Sequence, residues 1–246
     1  MDISIVIPAF NEEKKIGHDV EVAAVFIDKK ALLGEVIVVD DGSTDKTAEE
    51  AEKAIVPSAV DRNVIRLDKN RGKGHAVKTG ILASRGEVVL FADSGTCVPY
   101  ANALPGIERI RLGELDIAMA SRRLEDTKIH RNRSFKRRLL SSLFRLVARI
   151  VVGVPQRFSD TQCGFKVYRG GLARELFAQC KSTGFLFELE ILLCALKRGC
   201  RIEEFAVEWT CDLDTRLRPA SDAAKVLKEM FQVRSIIKKN KDRSDL

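Results

Sequence analysis

Apolar runs of strand length alternate with segments of helical period through the first half of the chain, and nearly every run ends on a polar or glycine-bearing turn. The runs ISIVIP (3–8), EVIVVD (35–40), NVIRL (63–67), EVVLFA (87–92) and LDIAMAS (115–121) read as strands. Residues 12–30, 44–55 and 73–84 read as helices. Such alternation builds an α/β fold, a mostly parallel, Rossmann-like sheet with helices on both faces, in which ligands bind beyond the carboxyl ends of the strands. The turns at 8–11, 40–43, 70–72 and 93–95 should therefore line one edge.

A chain of 246 residues, 45% of them hydrophobic, buries a full core as one large domain or as a domain with an appendage. No apolar run approaches the roughly 20 residues that span a bilayer. The start MDISIVIPAF lacks the basic stretch and cleavage site of a secretory signal, so a cytoplasmic location is expected. The six cysteines, at 97, 163, 180, 194, 200 and 211, show neither a C-x-x-C pair nor a histidine at metal spacing. Reduced, mostly buried thiols without disulfides are expected.

The net charge of +7 is local. Nine cations and no acid fall between Thr127 and Ser159: Lys128, Arg131, Arg133, Lys136, Arg137, Arg138, Arg145, Arg149 and Arg157. The remainder carries 33 cations against 35 anions. This segregation points to one anionic partner at one place. Within the stretch KRRLLSSLFRLVARIVVGVP, helical spacing puts Arg138, Ser142, Arg145 and Arg149 on one stripe and apolar residues around the rest. A helix lying in a membrane interface tolerates both; a partly buried helix with a solvated arginine edge is the alternative.

The strand ends carry the chemistry. In VVDDGSTDKT, Asp40 and Asp41 close a buried strand, Gly42 permits a sharp turn, and Ser43 or Thr44 is placed to cap a helix with Asp45 in its first turn. One of the adjacent acids should face the cleft. In KNRGKGHAVKTG, Gly72, Gly74 and Gly80 allow close backbone approach, and Arg71 and Lys73 offer charge to phosphates, although the spacing is not that of a P-loop. In VVLFADSGTCVP, a buried strand presents the single carboxylate Asp93.

Together VIPAFNEE, VIVVDDGSTDKT, NRGKGHAVKTG and GEVVLFAD resemble the family 2 inverting glycosyltransferases of GT-A fold, which use nucleotide sugars. SDTQCGFKVY (159–168), FLFELEILLCALKRG (185–199) and VEWTCDLDTRLRP (207–219) are similar to the dolichyl-phosphate glucosyltransferase and mannosyltransferase branch. The resemblance implies a GT-A catalytic domain over 1–220, with a nucleotide-sugar half to about 122 and an acceptor half over 123–220, followed by a C-terminal amphipathic helix and polar tail over 221–246. It puts Pro8, Phe10, Glu12, Asp40, Asp41, Arg71 and Lys73 on the nucleotide sugar, and Asp93, Asp160 and Arg122 in the catalytic set. Arg137 and Ser141, or Arg133 and Ser134, would hold the acceptor phosphate with Arg216.

Asp93 matches the first acid of the family's D-x-D motif, but the chain continues Ser94-Gly95 where a second carboxylate would stand. One carboxylate, helped by the hydroxyls of Ser94 or Thr96, suffices for Mg²⁺ or Mn²⁺ when the diphosphate supplies other oxygens; Arg and Lys neutralising the diphosphate is the alternative. The expected activity is inverting transfer of glucose or mannose from a UDP- or GDP-hexose to a polyprenyl or dolichyl phosphate, by a protein bound peripherally to the inner face of an anionic membrane, with no nucleic-acid partner. Transfer to a sugar hydroxyl, or nucleotide-sugar binding without catalysis, are the competing readings. A polyprenyl phosphate is already an anion, so the reaction needs positioning more than a protein base.

Overall fold

The computed structural model describes residues 1–130, 142–210 and 223–239. Seven strands form one sheet: β1 (Ile3–Ala9), β2 (Gly34–Asp40), β3 (Val60–Arg66), β4 (Val88–Ala92), β5 (Ile117–Ser121), β7 (Phe165–Arg169) and β8 (Ile202–Ala206). Their order is β3-β2-β1-β4-β7-β5-β8. β1 to β4 pair in parallel, as do β5 and β8, while β7 runs antiparallel between β4 and β5. A short parallel pair, β6 (Lys128–Ile129) with β9 (Glu208–Trp209), stands apart.

Both faces of the sheet are covered, which is why β1, β2 and β4 are buried along their whole length and mostly apolar, with Ser4 and Glu35 bonded to each other inside. Ile3, Ile5 and Ile7 alternate with Val6 across the pleat. The odd set packs with Ile16, Val20 and Ile27 of α1 (Ile16–Lys29), Ala51 of α2 (Thr47–Lys53) and Ile107 of α4 (Leu104–Arg111). Val6 packs with Val77 and Ile81 of α3 (Lys73–Ala83), Leu176 of α5 (Gly170–Gln179), Phe187 and Leu189 of α6 (Phe187–Lys197), and Met230 of α7 (Ala223–Lys239).

The expected strands and helices of the first half are present. β3 extends further toward its N-terminus than apolarity suggests because it is an edge strand, with Asp61, Arg62 and Asn63 exposed. The expected cap at Ser43 or Thr44 is corrected. α2 begins at Thr47, whose N–H donates to Asp45 Oδ1 at 3.0 Å, while Ser43 Oγ accepts from Asn11 N–H at 2.7 Å and ties two sheet-edge turns together.

Cys97, Cys163, Cys180, Cys194 and Cys200 are free thiols; Cys211 lies outside the described residues. Among the described residues no helix is long and apolar enough to cross a membrane. In the described part of the basic segment, the apolar residues divide between two sides. Phe144, Val147 and Val151 pack against the core and Ala148 and Val152 are buried, while Leu143, Leu146 and Ile150 are exposed. α7 packs beside this segment with Leu227 and Phe231 also exposed.

Candidate active site

The sheet-edge turns interlock as the alternation requires. Asp41 accepts Arg71 N–H on Oδ1 and Gly72 N–H on Oδ2, both at 2.8 Å, so its carboxylate fixes the turn before α3. Gly72, at φ 100°, lies against the Thr183 carbonyl, where a Cβ has no room. Asp40 Oδ1 accepts Ser43 N–H at 2.9 Å; its Oδ2 is buried without a hydrogen bond, with Arg66 Nε 3.6 Å away. Both acids therefore hold backbone at the strand exit. Pro8 is buried opposite Val39, and Phe10 is half-buried. Glu12 is half-buried, with its N–H on Thr47 Oγ1 and Lys15 Nζ at 3.7 Å from its carboxylate. Arg71 is exposed.

Asp93 directly follows β4, in a cleft of about 160 Å³ lined also by Ser94, Thr96, Cys97, Arg122, Gly164 and Trp209. Lys73 Nζ stands 2.8 Å from Asp93 Oδ1 and donates to Oδ2 at 3.0 Å, while Oδ1 takes only its charge and has no hydrogen bond. Behind it Lys73 Nζ is 3.8 Å from Glu188 Oε1, and Glu188 is paired with the buried Lys166, which also donates to the Cys163 carbonyl at 2.6 Å. Burial opposes the charge on Lys73, but Asp93 and Glu188 outweigh it and raise its pKa. Glu190 points elsewhere, accepting the N–H groups of Lys181 and Ser182 at 2.9 and 2.8 Å, so the two acids of FELE serve separate places.

Arg122 follows β5 and reaches the cleft from the opposite side. Its Nε and one terminal nitrogen donate to the two oxygens of Asp160 at 2.6 and 2.7 Å, and its backbone N–H adds a third bond at 3.1 Å. The guanidinium lies 5.7 Å from the Trp209 ring centre, a cation–π distance. Asp160 is buried; burial alone raises a carboxyl, but the charge and hydrogen bonds of Arg122 outweigh it and hold Asp160 at a pKa of about 2. Glu204 fixes the preceding turn by accepting from Ser159 N–H, Ser159 Oγ–H and Asp160 N–H. Asp160 thus orients Arg122.

Arg133, Ser134, Arg137, Ser141 and Arg216, the expected acceptor-phosphate residues, lie outside the described residues. Their flanks meet at the cleft rim: His130 N–H donates to the Trp209 carbonyl at 3.0 Å and Thr210 N–H to the Cys97 carbonyl at 2.9 Å. Among the described residues no group of three or more His, Cys, Asp or Glu is placed to hold a metal. The donor set at Asp93, one carboxylate with an oxygen free of hydrogen bonds beside the hydroxyls of Ser94 and Thr96, fits a hard divalent cation that draws its other oxygens from a diphosphate.

Sequence reasoning missed Asp19, Gly164 and Glu204. Asp19 accepts from Gly95 N–H and Thr96 Oγ–H, and Gly164 backs the Asp93 carboxylate. Burial first, against those two bonds, raises the Asp19 pKa. The buried carboxylate of Asp19 carried no signal, because a lone acid in the first turn of a helix reads as a dipole partner.

Residues 4–177 match the family model described as glycosyl transferase family 2. The dolichyl-phosphate beta-glucosyltransferase of Dictyostelium discoideum is 33% identical over 243 residues, covering 94% of this chain and 73% of that protein. That of Homo sapiens is 33% identical over 248 residues, covering 94% and 74%. A crystal structure of glucosyl-3-phosphoglycerate synthase from Mycobacterium tuberculosis with Mn²⁺, UDP-glucose and phosphoglyceric acid superposes with a TM-score of 0.68 at 18% identity, covering 96% of this chain and 79% of that one. The fold they share is the GT-A arrangement expected from the strand–helix alternation, and in this chain the strand ends carry the cleft of Asp93 and Arg122, with Lys73 paired to Asp93 from the start of α3. The chain belongs to glycosyl transferase family 2.

Proposed function

We propose that this chain transfers glucose, with inversion, from a nucleotide sugar to the phosphate of a dolichyl-type polyprenyl lipid. The observation that carries the reading is that three carboxylates at or behind the cleft are each held by a cation: Asp93 by Lys73, Asp160 by Arg122, Glu188 by Lys166. Asp160, at a pKa of about 2, is a poor proton acceptor. A cleft arranged in this way suits a nucleophile that arrives as an anion, and a lipid phosphate is one. The names of the dolichyl-phosphate beta-glucosyltransferases, about a third identical across nearly the whole chain, support glucose as the sugar and dolichyl phosphate as the acceptor class.

The residues divide the work by position. Residues 1–122 bind the donor: Pro8, Phe10, Glu12, Asp40 and Asp41 form the nucleoside edge, and Arg71 and Lys73 approach the diphosphate. Asp93 holds Mg²⁺ or Mn²⁺, which when bound neutralises charge on the leaving diphosphate. Lys73 shares that load from the side of Glu188, and Arg122, kept in place by Asp160, adds a fixed positive charge across the cleft. Residues 123–220 take the acceptor, with Arg133, Ser134, Arg137, Ser141 and Arg216 on its phosphate.

Leu143, Leu146 and Ile150, with Leu227 and Phe231 of α7, present apolar side chains outward beside Arg145 and Arg149, a combination that suits an anionic membrane surface from which the lipid is drawn. Residues 221–246 belong to that contact. The test is a panel of labelled donors, beginning with UDP-glucose and GDP-mannose, incubated with polyprenyl phosphate with and without Mn²⁺. Labelled lipid from UDP-glucose is the expected result; label from GDP-mannose alone overturns the glucosyl assignment, and no lipid product from any donor overturns the transferase reading.

A further inference from the structure

Where a second acid of the D-x-D motif would stand, the chain has Gly95 at φ 94°, followed by Thr96 at φ 47°. Glycine adopts such a φ without strain, and position 95 carries no side chain. A carboxylate nevertheless lies at this place, and it comes from α1. Asp19, 2% exposed, accepts Gly95 N–H on Oδ2 at 2.7 Å and the Thr96 hydroxyl on Oδ1 at 2.6 Å. Ser94 and Thr96 line the same cleft as Asp93.

A threonine hydroxyl has one hydrogen and two lone pairs. With its hydrogen committed to Asp19, Thr96 Oγ1 acts as an acceptor, and the carboxylate behind it makes the oxygen more electron-rich, as outer carboxylates do for the ligands of bound metals. Ser94 has no such partner among its hydrogen bonds in the described residues. We propose that Asp19 and Thr96 act as a relay that takes the part of the missing second carboxylate: Thr96 Oγ1 meets the cation held by Asp93, and Asp19 is the positioning residue that polarises it. The inference rests on the reading of the cleft as a nucleotide-sugar site.

The measurement is the affinity of Mn²⁺ for the protein's complex with UDP, and with GDP in parallel, alongside the affinity of each nucleotide without metal. Asp19→Asn keeps the shape but replaces one acceptor with a donor; Thr96→Val removes the hydroxyl, and Thr96→Ser restores it. Asp19→Asn and Thr96→Val should each weaken Mn²⁺ about tenfold or more, the usual range for outer partners of metal ligands, and leave metal-free nucleotide affinity unchanged. Thr96→Ser should retain Mn²⁺, and Asp93→Asn should lose it. Native-like Mn²⁺ affinity in Thr96→Val overturns the relay. So does an equal loss of nucleotide affinity with and without metal in Asp19→Asn, which would make Asp19 a staple between α1 and the loop. A native protein that binds neither nucleotide fails one level lower, at the reading of the cleft, and takes the relay with it.

Discussion

The carboxylate of Asp93 rests directly on Gly164. Asp93 N–H donates to the Gly164 carbonyl at 2.8 Å, and a Cβ at residue 164 would fall inside the carboxylate. The glycine of CGFK is there for close approach of a side chain to backbone, not for a turn. Gly164→Ala should therefore disable transfer nearly as completely as Asp93→Ala, by moving the carboxylate and not by removing it. Both variants should retain the native circular dichroism spectrum. Normal turnover in folded Gly164→Ala would show that the position of Asp93 is unimportant.

The Arg122–Asp160 pair makes a prediction about stability and pH. Asp160 is depressed from an ordinary value near 3.8 to about 2, so its contribution is present above pH 4 and is lost as pH falls through about 2. For this nearly buried group the linkage amounts to about 2 kcal/mol. Asp160→Asn leaves Arg122 without its counter-charge and should cost roughly 3 kcal/mol at pH 7. Denaturant unfolding between pH 2 and 7 checks both: the difference between native and variant should shrink toward the acid end, and a constant difference would contradict the assignment.

The outward apolar residues make a prediction about membranes. Ile150 is 71% and Phe231 56% exposed, so replacing both with Asp should leave the melting temperature nearly unchanged. Binding to vesicles containing anionic lipid should be lost, since each buried methylene contributes about 0.8 kcal/mol. Arg145→Gln with Arg149→Gln should weaken binding by about 1 kcal/mol per charge at low salt, with a smaller effect at high salt. Vesicle sedimentation reads both, and undiminished binding by the Asp variant would move the contact elsewhere.

What was legible in the sequence follows from burial. β1, β2 and β4 are covered on both faces and read as mostly apolar runs, and the turns after β2, β3 and β4 put Asp41, the approach to Lys73, and Asp93 along one edge. β7 was visible only as a motif. Lys166, its second residue, is 2% exposed and neutralised by Glu188 from α6, so the strand breaks the apolar pattern while lying inside the sheet between β4 and β5. Its antiparallel insertion between β4 and β5 brings Gly164 to Asp93, a contact set by pairing between segments some seventy positions apart. Asp19 was hidden for the same reason: its partners, Gly95 and Thr96, lie in another element.

Acceptor choice tests the central claim most directly. Labelled nucleotide sugar is supplied to the native protein with polyprenyl phosphate in one reaction and the corresponding polyprenol in another, across pH 5 to 9. With Asp93, Asp160 and Glu188 each held by a cation, the account predicts label on the phosphate lipid alone. Asp160→Asn should slow that transfer only moderately, with the shape of its pH profile unchanged. Transfer to the alcohol at a comparable rate, or a drop of several orders of magnitude in Asp160→Asn with loss of the acidic limb, would show that a protein base removes the proton and would contradict the account.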